Sequence, residues 1–210
     1  QKLKDEDPVE AMELLEIVLR AGAAEHEENA LALVRDLRRK QSQIRDLTAE
    51  ADKAMADGQP EKALEAWRGV LRVIPRHGTA LEQAQKLEQF IEDFQRRWAE
   101  AIHLMDRAQF EEANKQLRDC LELIPQREET NEMLKTCRRR AEKFVAAFNQ
   151  ASSSAKQTLL LDAQKYANIA LSQAPESPAA LAFADELSKT LKRTEQLVNH
   201  AYSQLPRAEF

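Results

Sequence analysis

Catalysis and metal binding draw on a short list of side chains, and here those side chains are scattered. Cys120 and Cys137, with His26, His77, His103 and His200, are the only thiols and imidazoles in the chain. No two of them sit at metal-ligand spacing. The sequence has no HExxH pair, no P-loop, no glycine-rich nucleotide loop and no nucleophile motif. An isolated Ser, Cys or Glu does little without a base and an orienting partner. We therefore expect no catalytic residue, no metal site and no cofactor, and a protein that is not an enzyme. Each cysteine falls on an apolar stripe, where a free thiol packs as a small hydrophobe. That favours a reducing, cytoplasmic compartment.

Side chains suited to recognition are more orderly. Thr48, Trp98 and Phe148 form one row at fifty-residue spacing, and Met55, Met105 and Ala155 form another. Aromatic and methionine side chains on an open groove suit an amphipathic helix or an extended apolar peptide. The candidate partner-binding set is Trp98, Phe148, Met55 and Met105, with Arg45 and Lys156 as polar contributors. The same register places these residues on the stripe along which long helices pack, so burial between helices is the competing reading. Three basic clusters, Arg38-Arg39-Lys40, Arg96-Arg97 and Arg138-Arg139-Arg140, have acidic neighbours such as Glu129 and Glu142. Solvated helix faces with intrahelical pairs are expected there.

The net charge of -5, from 31 basic and 36 acidic residues mixed along the chain, argues against nucleic acid as a partner. No apolar run approaches the roughly 20 residues needed to cross a bilayer, so no membrane insertion is expected. No signal-peptide pattern opens the chain. The opening QKLKDEDP, which lacks a methionine, suggests a fragment of a larger protein.

The elements that position these residues follow from a repeat. Ala63, Ala113 and Ala163 are evenly spaced, as are Leu71, Leu121 and Leu171, and Pro75, Pro125 and Pro175. A fixed period of this size marks stacked structural units. From Glu27 to Ala56 a seam steps by three and four positions through Ala30, Val34, Leu37, Gln41, Ile44, Thr48, Ala51 and Met55, a heptad-like pattern. One helix of roughly 29 residues, about 43 Å long, is predicted. The seam returns fifty residues later from Ala80 to Met105, again from Thr130 to Ala155, and a fourth time from Ala180 to Leu205. Between the long helices lie short ones, each ended by a proline turn, with Pro75 and Gly78 closing the first and Thr79 expected to cap the next long helix. Ser177-Pro178 starts the fourth. The stretch Asn149 to Thr158, with three serines in a row, is expected to kink or break. A partial unit from Pro8 to Gly22 aligns with the short helix from Pro60, two residues out of register.

The short-helix half resembles the second helix of a tetratricopeptide (TPR) repeat. The matching residues are Ala63, Trp67 and Pro75, then Ala113, Leu117 and Pro125, then Ala163, Ala167 and Pro175. Gly58 stands at the family's turn glycine, Phe110 at its turn aromatic, and Ala51, Ala101 and Ala151 at its close-packing glycine. The period is 50 rather than 34, and the upstream aromatic and leucine positions are here Leu47 and Glu50, Arg97 and Glu100, Ala147 and Gln150. The resemblance implies a concave surface lined by first helices that binds peptide segments. The lysine and asparagine set with which some members grip a C-terminal carboxylate is not reproduced at Arg45, Thr48, Asp52, Ala99, Val145 and Asn149.

The expected fold is all-α: a single TPR-like α-solenoid domain over 1–210, alternating long helices of about 29 residues with short ones of about 14. Its parts are a partial repeat 1–25, repeats at about 26–77, 78–127 and 128–177, and a C-terminal capping helix 178–205. The expected function is a non-catalytic scaffold that binds a peptide or helix of a protein partner on its concave face. The alternatives are a structural stalk or self-association segment of a larger protein, and the regulatory segment of a truncated enzyme.

Overall fold

Fifty-residue spacing in the sequence reappears as fifty-residue spacing of helix boundaries. A computed structural model describes residues 27–204 and Ile17; the expected partial unit from Pro8 to Gly22 lies outside the described residues, Ile17 apart. Seven helices, with no strand among the described residues, run α1 Glu27–Ala56, α2 Pro60–Val73, α3 Gly78–Asp106, α4 Phe110–Leu123, α5 Glu128–Lys156, α6 Leu160–Gln173 and α7 Pro178–Gln204. The long helices α3 and α5 have 29 residues each, and all three short helices have 14.

Burial shows the same period. Ala51, Ala101 and Ala151 are wholly buried, as are Ala63, Ala113 and Ala163 and the triplet Val70, Cys120 and Ala170. Three core clusters result, each built from the end of a long helix, the short helix after it and the start of the next long helix. The first centres on Ala51, Ala63, Trp67, Ala84 and Leu87. The second holds Ala101, Met105, Leu117, Leu134 and Cys137, and the third Ala151, Ala163, Ala167 and Leu187. A fully buried large apolar side chain is worth about 1.5–3 kcal/mol. Trp67 and Leu117 are therefore main contributors to their clusters.

The described residues fall into two compact units. One runs through Gln95 and includes Ile124–Arg127; the other comprises Arg96–Leu123 and the chain from Glu128 on.

Turns between long and short helices share one geometry. Gly58, Ala108 and Thr158 all have positive φ, at 69°, 64° and 60°. In each turn the next residue's N–H reaches back five positions: Gln59 to Ala54 O at 2.8 Å, Gln109 to Leu104 O at 2.8 Å and Leu159 to Ser154 O at 2.9 Å. This satisfies carbonyls that the helix end would otherwise strand. Glycine takes the left-handed conformation freely, whereas Ala108 and Thr158 adopt it at a cost.

Two local expectations are corrected. The run Ser152–Ser154 does not break α5, which is unbroken to Lys156. Ser154 is buried where the first long helix has buried Ala54, so a small residue is required there and its surroundings hold the helix. Thr79 is not the cap of α3, because the helix already begins at Gly78. His77 takes that role, its Nδ1 accepting the Ala80 N–H at 3.2 Å. Ser177 does the same for α7, its Oγ accepting the Ala180 N–H at 3.4 Å.

Candidate functional site

The long helices bury more than the seam. Their second halves also turn a side toward the short helix that follows, through the positions occupied by Leu47, Arg97 and Ala147. At the register positions 22 residues on are Gly69, Asp119 and Ile169. In the first repeat a Cβ on Gly69 would lie 3.1 Å from Leu47 Cδ2, so leucine fills the space that glycine leaves. In the second, Arg97 pairs with Asp119 at 3.4 Å. In the third, the residues in that register are buried Ala147 and Ile169, which is 40% exposed. One register position is filled three ways: large with small, charge with charge, small with large.

The unit from Arg96 on holds an aromatic ladder. Phe110 at the start of α4 meets Phe144 on α5 at 5.8 Å between ring centroids. Phe144 stacks on Phe148, one turn on, at 5.7 Å with planes 6° apart. Phe148 meets Phe183 of α7 edge-on at 5.6 Å. All four rings are half-buried. Such pairs contribute about 0.5–1.5 kcal/mol each beyond area burial, so the ladder ties three helices while leaving ring surface open. The i, i+4 spacing of Phe144 and Phe148 makes them neighbours on one helix face.

The same unit holds polar braces. Arg140 donates from Nε to the Gln173 carbonyl at 2.7 Å and from its terminal nitrogen to Asp106 Oδ1 at 2.7 Å. It thereby ties the last residue of α6 to the end of α3. The Glu176 N–H donates to Asp106 O at 2.8 Å, and His103 lies 3.7 Å from the Glu176 carboxylate. The basic clusters are thus only partly the intrahelical pairs expected. Lys40 does pair with Asp36 one turn away at 3.2 Å, but Arg97 and Arg140 bridge different helices. Cys137 donates its thiol to the Phe110 carbonyl at 3.6 Å, and burial pushes that thiol's pKa up, against the pull of Arg140 and Arg138. Buried Thr130 leaves its hydroxyl without a partner, where the equivalent residues are Ala80 and Ala180.

The candidate partner-binding residues have different fates. Phe148 belongs to the ladder. Trp98 is half-buried and packs against the second core cluster. Met105 is 1% exposed and lies inside that cluster, the position the packing reading expects. Lys156 is exposed at the end of α5. In the other unit, Met55 is 41% exposed at the end of α1, and Arg45 is open to solvent beside Asp46 at 3.7 Å. Sequence reasoning missed Phe183, which lies off the seam between Ala180 and Ala184, and the bracing role of Arg140.

Among the described residues no group of three or more His, Cys, Asp and Glu could hold a metal ion, and no helix is long and apolar enough to cross a membrane. Compared with protein-family models, curated proteins and solved structures, the chain matches none of them.

Proposed function

We propose that this chain is a protein-interaction module of TPR-like character, a non-catalytic scaffold that captures an apolar helix or peptide of a partner protein. The observation that carries the reading is the ladder Phe110–Phe144–Phe148–Phe183. Aromatic residues make up only 5% of the chain, yet four rings meet on three helices, each side chain still partly exposed. Partly exposed rings on helices supply contact area at small entropic cost, which is what a hot spot needs. Phe148 and Trp98 are the anchors in this reading, and Lys156 is a rim charge. On α1, Met55 and Arg45 are further exposed candidates in this reading. Met105 supports its neighbours from within the core.

A displayed peptide library panned against the chain supplies the probe. The Trp98→Ala, Phe148→Ala double variant should keep its helical signal and lose the selected peptides. A folded double variant that retains full binding would sink the reading.

The burial of Met105 and the packing of Trp98 against the core favour a second reading, in which the seams brace a stalk. Sedimentation equilibrium over a range of concentrations separates the two. Self-association broken by seam variants would support the stalk, and a monomer throughout would count against assembly through those faces.

A further inference from the structure

One arginine of this chain sits in a seat made of a carboxylate and an aromatic ring. Arg127, just before α5, donates to Glu61 Oε1 at 3.0 Å and lies 4.6 Å above the Phe94 ring. A guanidinium suits both partners at once, because it donates hydrogen bonds within its plane and lays a face on the ring. With the arginine in place Phe94 is only 5% exposed. All three residues belong to the first unit.

The carboxylate and the ring recur fifty residues on, and the arginine does not. Glu111 stands in the register place of Glu61, and Phe144 in that of Phe94. Both lie in the unit from Arg96 on, where Phe110, next to Glu111, meets the Phe144 ring at 5.8 Å. The place of Arg127 is taken by Ser177, which is buried and accepts the Ala180 N–H of α7 with its Oγ. Phe144 remains half-buried, and exposed Glu111 forms no ion pair among the described residues, not even with Lys115 one turn on. Arg140, one turn before Phe144, is engaged by Asp106 and the Gln173 carbonyl. The residue after the carboxylate changes sign, from Lys62 to Glu112, so the second seat is the more negative. The last repeat has Leu161 and Thr194 at the two positions and no such seat.

We propose that Glu111 and Phe144 form a receiving site for an arginine side chain of a partner protein, which fills in trans the place that Arg127 fills in cis at Glu61 and Phe94. The inference rests on the ladder reading for its apolar anchor, since Phe144 is one of the four rings. It adds what the partner carries: an arginine beside the apolar residue that meets Phe148. The chain's own Arg127 supplies the chemistry of recognition, a planar donor between a carboxylate and a ring. Lysine fits less well, because its ammonium is a compact, strongly hydrated point charge that cannot stack on the ring. Glu112 strengthens the field that draws a basic segment to this seat.

The probe is the displayed peptide library panned on the full 210-residue chain, with the selected peptides sequenced and then measured by fluorescein anisotropy. The selected peptides should be enriched in arginine. Replacing that arginine by alanine should weaken binding at least about tenfold, and replacing it by lysine at least about threefold. In the chain, Glu111→Gln should weaken binding at least about fivefold; the residue is exposed, so the variant leaves every core cluster intact. Ladder-dependent peptides without arginine enrichment, or binding indifferent to Glu111→Gln, would overturn the inference and leave the ladder reading standing. Arginine-dependent binding that falls with Glu111→Gln yet survives Trp98→Ala, Phe148→Ala would keep the arginine seat and sink the ladder as its anchor. A library that yields no binder would overturn both.

Discussion

The first and third repeats share a backbone and differ in where they keep their bulk. In the first, the buried face of the short helix and its C-cap carries Trp67, Val70 and Ile74; in the third it carries Ala167, Ala170 and Ala174. The third repeat does not lack large side chains. They have moved to its margin, as Leu160, Tyr166 and Phe183 packed half-buried around the alanines, next to Phe148. A repeat that fills its core from within leaves a plain surface, whereas one that fills it from the rim leaves aromatic surface open to a partner. The second repeat is intermediate, with Leu117 and Cys120 inside and Trp98 and Phe110 at the edge.

The largest test of that contrast is Leu117→Ala. It gives the second repeat the residue that the third has at the same place. The surroundings of Leu117 are shaped for leucine and cannot collapse onto alanine, so a loss of about 2–5 kcal/mol is expected in urea unfolding. A loss under about 1 kcal/mol would mean that the repeats repack freely.

Arg140 has no counterpart in the preceding repeat, where Phe90 stands, and its two bonds brace α3 and α6. Arg140→Ala should cost about 2 kcal/mol, since charge-assisted bonds in partly buried positions contribute about 1.5–3 kcal/mol. Arg140→Lys should recover less than half of it, because a single ammonium cannot serve both acceptors along the same fork. Full recovery would reduce Arg140 to a point charge.

Turn residues sharpen the comparison further. Thr158→Gly should stabilise the third repeat by about 1 kcal/mol, less whatever the hydroxyl's bond to the Gln157 carbonyl at 2.6 Å returns. Gly58→Thr should cost more than that gain, because its Cβ would also crowd Ile124 and Gln126. Equal and opposite effects would show that only φ matters.

The smallest effect concerns pH. Burial raises the Cys137 pKa in the folded chain above the ordinary thiol value of 9.0. A raised folded pKa gives stability that is present below the unfolded value and lost as pH rises through the folded one. Unfolding midpoints should therefore drift down above about pH 9, and Cys137→Ala should flatten that drift. An unchanged slope would assign the drift to other groups.

Much of this was legible in the sequence, and for identifiable reasons. The helix limits from Glu27 to Ala56 and the 14-residue short helices follow from seam periodicity and from prolines that cannot continue a helix. The closure of α2, α4 and α6 over Ala51, Ala101 and Ala151 follows from the small residues themselves. Cross-helix pairing was not legible. Arg140 and Asp106 are 34 positions apart, and Phe183 lies off the seam, so neither stands out from local pattern. The complementary series Leu47–Gly69, Arg97–Asp119 and Ala147–Ile169 was available as a constant offset of 22, but only once the short helix is known to fold back beside the long one. His77 was overlooked as a cap because histidine is rarely chosen there over serine, threonine or aspartate.

That series also carries the central claim, that residues fifty apart occupy one structural position and may trade size with the residue opposite. A double-mutant cycle on Leu47→Ala and Gly69→Ile, read by urea unfolding, transplants the third repeat's solution into the first. Gly69→Ile alone should destabilise by about 1–3 kcal/mol through overpacking against Leu47. The double variant should recover at least about 1 kcal/mol relative to the sum of the single variants. Strict additivity would contradict the claim, because the two positions would then not share one space.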